Sequence, residues 1–260
     1  MGAVQTLIHR DGELLAKAVA ARLVTRLVDA VAAKGRASLV LTGGGIGTSV
    51  LAELAAAPAR DAIDWRRVEI WWGDERFVAT GDPERNETGA RAALLDHVDL
   101  RPELVHPMPG PEGPDGQDPE AAAERYAGWL RAAVRSGDRA GVPGFDVLLL
   151  GIGPDAHVAS LFPGLPAVYE EKRTVVAVRG APKPPPTRLS MTFPAIRAAA
   201  EVWVLAAGAE KAGAVRLALS GAGVFQVPAA GARGRQQTLF LLDRAAAAQV
   251  PAELGRLASP

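Results

Sequence analysis

Residues 145–164 read FDVLLLGIGPDAHVASLFPG, and this run holds the chain to a narrow set of folds. Four consecutive apolar residues, Val147 to Leu150, suit a strand buried on both faces, the habit of parallel sheets covered by helices. The strand breaks at Gly151, Gly153 and Pro154, and the loop that follows carries Asp155 and His157. Open α/β sheets form their clefts at the carboxyl ends of strands. A histidine placed there can exchange a proton near neutral pH. Acid–base chemistry at His157 is one reading of the loop. A histidine that caps the next helix or bonds a carbonyl is the other.

The rest of the chain alternates in the way such a sheet requires. Leu15, Val19, Leu23, Leu27 and Val31 recur every fourth residue and predict a helix over Leu14–Ala33. Further helices are expected at Thr48–Ala56, Asn86–Leu95, Glu120–Arg135 and Glu210–Leu219. Strands are expected at Ser38–Leu41, Val68–Trp72, Val105–Met108, Phe145–Leu150, Thr174–Val178, Val202–Ala206 and Thr238–Leu242. The expected class is α/β: a Rossmann-like, three-layer α/β/α arrangement around a mainly parallel sheet. With 260 residues, 48% of them hydrophobic, one domain over 1–260 has enough material for its core.

Charge and composition narrow the partners. A formal net charge of zero argues against an extended nucleic-acid groove or an anionic membrane surface, while leaving room for a local anion site. The absence of cysteine excludes disulfides, thiolate metal sites and a cysteine nucleophile. The start, MGAVQTLIHRDGELL, has an early Asp/Glu pair and no unbroken apolar core, unlike a secretory signal. No apolar run approaches the ~20 residues of a membrane span. A cytoplasmic protein is expected. No His/Asp/Glu spacing resembles a zinc site, and no Gly-x-Ser-x-Gly elbow is present.

Four further features bear on chemistry. Gly43, Gly44 and Gly45 join a strand to a helix, where backbone N–H groups and the helix amino terminus favour an anion. A tight strand-to-helix turn with no ligand reads the same way. The strand Val68–Trp72 runs out into Gly73-Asp74-Glu75-Arg76, where Arg76 is placed to fork onto phosphate and Asp74 and Glu75 are available to hold it in position. Arg188 follows the Pro-rich loop at Lys183, and Lys211 sits in the first turn of a helix, against the dipole preference. Each of these cations is also readable as an ordinary surface charge. Trp71 and Trp72 suit the core. His9, His97 and His106 lack the framing of His157.

Taken in order, these blocks resemble the 6-phosphogluconolactonase family over about Leu39 to Leu242. The Gly151–Gly164 loop matches its Gly-x-Gly-x-Asp-Gly-His-x-Ala-Ser-Leu-Phe-Pro pattern, with Ala156 for the inner glycine and Val158 for a common threonine. The Gly-rich turn departs more, having one extra residue where the family often shows Gly-Gly-Ser-Thr-Pro. The resemblance implies hydrolysis of 6-phosphoglucono-1,5-lactone to 6-phosphogluconate in the pentose phosphate pathway, with no metal or organic cofactor. It implies a fold like those of glucosamine-6-phosphate deaminases and ribose-5-phosphate isomerases. It makes His157 the general base, with Asp155 orienting it or stabilising the loop. Arg76, Arg188 and Lys211 fall at the phosphate end, and Asn86 near the substrate. The partner it implies is a small phosphorylated lactone, not nucleic acid or membrane. Two other readings stay open. A deaminase loop usually continues Ala-Phe-Asn-Glu-Pro where this chain has Ala159-Ser160-Leu161-Phe162-Pro163, and usually carries Asp-Glu-Tyr where it has Asp74-Glu75-Arg76. A non-catalytic sugar-phosphate sensor normally adds a helix-turn-helix segment, which this sequence lacks.

Overall fold

The computed structural model describes residues 2–259. In chain order its elements are β1 (Ala3–His9), α1 (Gly12–Lys34), β2 (Ala37–Leu41), α2 (Gly44–Ala56), β3 (Val68–Trp72), β4 (Asp74–Arg76), α3 (Asn86–Ala93), α4 (Pro119–Ala132) and β5 (Val147–Gly151). They continue with β6 (Val175–Val178), β7 (Arg188–Met191), α5 (Phe193–Ile196), β8 (Glu201–Ala206), α6 (Ala212–Leu219), α7 (Pro228–Gly231), β9 (Gln237–Asp243) and β10 (Arg256–Leu257). Seven strands form a parallel sheet in the order β10-β1-β9-β8-β5-β2-β3. Helices cover it in the expected three-layer α/β/α arrangement. The apolar run that predicted β5 is buried from Val147 to Leu150, as are Leu39, Val40 and Leu41 of β2. Each such side chain contributes about 1.5–3 kcal/mol of transfer free energy. The stripe of α1 faces the core through Leu15, Val19, Leu23 and Leu27.

The order of strands places the site. From β2 the chain moves outward to β3, then returns past β2 to β5, β8 and β9. The direction reverses between β2 and β5, so the loops leaving these two strands diverge and open a crevice at their carboxyl ends. The Gly43–Gly45 and Gly151–His157 segments are those loops.

Several expectations change. A second sheet, antiparallel with order β4-β7-β6, stands beside the large one, and the strand read at Thr174–Val178 belongs to it. Gly73 is the joint between the sheets: its N–H donates to Leu41 O at 3.0 Å and its O accepts from Met191 N–H at 2.8 Å. Val105–Met108 is not a strand. Val105 makes one parallel bridge to Ile70, and Pro107 supplies no donor with which to extend it. The amino-terminal segment, which carried no expectation of structure, is β1, an inner strand between β9 and β10. Helix α2 begins at Gly44 rather than Thr48, because its first turn is built from glycines whose low propensity hides it. Helix α3 stops at Ala93, where Leu94 leaves helical geometry (φ −146°). The segment from Glu210 splits into a 3-10 turn, Ala209–Lys211, and then α6. No helix among the described residues is long and apolar enough to cross a membrane.

Candidate active site

The loop after β5 is tied before it turns. Gly153 N–H donates to His157 O at 2.9 Å, and Ala156 N–H donates to Gly153 O at 2.9 Å. Closing so tight a loop puts Ala156 in the left-handed region, φ 66°, which costs an alanine about 1–2 kcal/mol. Ala156 O accepts from Ala229 N–H at 2.9 Å, which pins the strained residue to α7. His157 Nδ1 then lies 2.5 Å from Asp155 Oδ1. With Nδ1–H donated to the carboxylate, the lone pair is on Nε2, which has no protein hydrogen bond among the described residues. The imidazole tilts against the Phe162 ring, with centroids 4.5 Å apart. Burial pushes the Asp155 carboxyl up, but the hydrogen bond and charge of His157 outweigh it and hold the group below its ordinary value. Gly153 makes this pair possible. A Cβ there would fall 2.0 Å from His157 Nδ1 and 2.4 Å from Asp155 Oδ1.

The imidazole lines a cleft of about 400 Å³ at the crevice, within the range of small-molecule sites. Gly43, Gly44, Gly45, Arg76, Asn86, Arg188 and Lys211 line it as well. Asp155 does not. It lies outside the lining, against Nδ1 of the ring.

Two of the cations face each other across the small sheet. Arg76 of β4 and Arg188 of β7 are Cα partners in the antiparallel register. Like charges so placed are unfavourable. Neither guanidinium has a carboxylate within 4.0 Å among the described residues. Burial, and to a lesser degree the neighbouring Arg76 charge, lower the pKa of Arg188 against the opposing charges of Asp74, Glu75 and Glu84. Arg188 also does a structural job, since its Nε and Nη2 donate to Pro185 O and Lys183 O, both at 2.9 Å, and so shape the Pro-rich loop. Arg76 Nη1 donates to Asn86 Oδ1 in a close contact, and Asn86 Nδ2 donates to Asp74 O at 2.8 Å. Gly43 lies directly against the Asn86 amide, so any side chain at 43 would displace it. Lys211 ends the 3-10 turn at the start of α6. Its pKa is lowered, first by burial and also by nearby Lys183, despite the opposing charge of Glu210.

The carboxylates beside Arg76 hold it through its backbone N–H and through Asn86, and neither lies within 4.0 Å of its guanidinium. Asp74 accepts from Ser160 Oγ at 2.7 Å and from Asn86 Nδ2 at 3.3 Å. Glu75 turns away from the cleft and accepts backbone N–H groups. Residues with no role assigned in the sequence also reach the site. Thr42 Oγ1 accepts Gly151 N–H at 3.2 Å and ties the two diverging loops together, and Lys183 and Glu210 line the cleft. Thr42 and Lys183 adjoin segments that the sequence marked, and position was the one signal available for them.

A model of the family described as glucosamine-6-phosphate isomerases/6-phosphogluconolactonase matches residues 10–241. The chain belongs to this family. A 6-phosphogluconolactonase of Streptomyces coelicolor is 62% identical over 250 residues, covering 96% of both chains. One of Mycobacterium tuberculosis is 51% identical over 244 residues, covering 94% of this chain and 97% of its own. The solved structure of a 6-phosphogluconolactonase from Trypanosoma brucei superposes with a TM-score of 0.83 at 28% identity, over 96% of this chain and 100% of that one. A monomeric glucosamine-6-phosphate deaminase shares the fold, with a TM-score of 0.76 at 22% identity over 94% of this chain. Within the glucosamine-6-phosphate isomerase/6-phosphogluconolactonase family, then, this member keeps the histidine loop with an alanine in the left-handed position.

Proposed function

We propose that this chain is a lactonase that hydrolyses 6-phosphoglucono-1,5-lactone to 6-phosphogluconate in the pentose phosphate pathway, with His157 activating the water. One observation carries the mechanism: a histidine oriented by a carboxylate faces a cleft whose guanidinium pair has no carboxylate within 4.0 Å among the described residues. The names of the relatives at 62% and 51% identity supply the substrate. The chain acts as a single domain over residues 1–260, and the substrate is a small phosphorylated lactone met in the cytoplasm.

In this reading the phosphate lies toward Arg76, Arg188 and Lys211 and relieves their repulsion. That binding energy, far from the reacting carbon, orients the lactone. Nε2 of His157 removes a proton from water as its oxygen bonds to C1. The carbonyl oxygen becomes an alkoxide, for which loop N–H groups are the candidate donors, since both hydrogens of Asn86 Nδ2 are directed at Asp74 O and Oδ1. The alkoxide re-forms the carbonyl and the bond from C1 to the ring oxygen breaks. The imidazolium returns its proton to that oxygen, which leaves as the C5 hydroxyl. Asp155 keeps Nδ1 protonated throughout, so Nε2 is always the basic nitrogen. The test is proton release from the phosphorylated lactone by the purified protein and by His157→Ala and His157→Asn. Losses of about 10²–10⁴-fold in kcat are expected. Near-normal turnover in both variants would remove His157 as the base.

A further inference from the structure

We infer that Glu75 is a positioning residue for the proposed lactonase reaction: one buried carboxylate fixes where both Arg76 and Asn86 stand. The inference rests on the lactonase reading and extends it to a residue outside the cleft. Glu75 is 1% exposed. Its Oε1 accepts Arg76 N–H at 2.8 Å and Asn86 N–H at 2.7 Å, and its Oε2 accepts Glu87 N–H at 2.8 Å. Asn86 and Glu87 are the first two residues of α3, whose N-cap residue, Arg85, offers no side-chain cap. Glu75 therefore caps a helix that begins eleven residues further along the chain. The same oxygen that holds the first amide of that helix holds the backbone of Arg76.

The surroundings make this carboxylate hard to replace. Arg85 is fully buried behind it, anchored to Met108 O at 2.6 Å, Val78 O at 3.0 Å and Glu87 at 3.0 Å. Arg85 Nε makes no hydrogen bond and faces Glu75 Oε2 at 3.9 Å. In Glu75→Gln one oxygen becomes an NH₂ group. Arg85 repels that group, so the remaining oxygen turns toward Arg85 and Glu87. The NH₂ group then faces the N–H groups of Arg76 and Asn86, donor against donor. The isosteric substitution thus keeps the packing and the Glu87 half of the helix cap while it releases the backbone N–H groups of the two residues that reach the cleft.

Steady-state lactonase kinetics decide the matter. Glu75→Gln is compared with the unmodified chain, and again in an Arg76→Ala/Asn86→Ala background. Displacing positioning groups by about 1 Å costs on the order of 100-fold, so a loss of about 10- to 100-fold in kcat/KM is expected in the first comparison. Less than about 2-fold is expected in the second, because the residues through which Glu75 acts are gone. Circular dichroism at the assay temperature confirms that each variant is folded. An equal loss in both backgrounds, or no loss in the first, overturns the inference while the lactonase reading stands. An inactive unmodified chain sinks both.

Discussion

Gly153→Ala isolates the geometry of the histidine loop from its stability. The backbone at 153 is not in the left-handed region, so alanine meets no conformational penalty there. The obstacle is the 2.0 Å separation between its Cβ and His157 Nδ1, when real Cβ atoms essentially never come nearer than 3.0 Å. The ring must retreat by about 1 Å, and the Asp155 oxygen at 2.4 Å must move too. Both are partly exposed side chains of the loop after β5, so they swing aside and leave the core undisturbed. A displacement of that size at a reacting group costs about 100-fold, or about 2.7 kcal/mol of transition-state stabilisation. Thermal stability should hold or rise slightly, since replacing glycine restricts the unfolded chain by about 0.4–1 kcal/mol. The assay is lactone-dependent proton release alongside a thermal melt. If Gly153→Ala keeps kcat/KM within about 2-fold of the unmodified chain, the Asp155–His157 pair does not set the rate as argued.

Two further outcomes follow from the charged groups. Arg76→Ala should lower kcat/KM far more for the phosphorylated lactone than for its unphosphorylated counterpart, and equal losses would remove Arg76 from the phosphate end. Glu170 accepts Arg173 N–H at 3.0 Å, Arg173 Nε at 2.7 Å and Lys172 N–H at 2.7 Å, contacts that hold its carboxyl at about 2. A depressed carboxylate contributes stability that is complete above its unfolded value of 4.5 and is lost as pH falls through about 2. Urea melts of Glu170→Gln should therefore show a deficit at pH 6 that shrinks on acidification, and a deficit independent of pH would refute the assignment.

The sequence made the large sheet and one half of the site readable for the same reason. Val147–Leu150 and Leu39–Leu41 are apolar without interruption, and strands buried on both faces must be. The glycines and proline after β5 marked the histidine loop, and Arg76 followed a strand that was plain to see. The small sheet had no comparable mark. Strands β4 and β7 span three and four residues and carry Asp74, Glu75, Arg76 and Arg188, so they read as charged loop ends. Their pairing is non-local, across more than a hundred residues. The way Glu75 holds Arg76 was not legible because its partners are backbone N–H groups, and these leave no trace in side-chain identity. The closeness of Gly43 to Asn86 is likewise a fact of tertiary packing.

The joint at Gly73 has a consequence for what the protein can accept. The imidazole stands on a loop that leaves the parallel sheet and the paired guanidiniums on the antiparallel one, so the span between them depends on how the two sheets meet at Gly73 as well as on that loop. If the lactone spans the two as proposed, the joint is a gauge of substrate length, and a change in how the sheets meet alters which sugar phosphates fit.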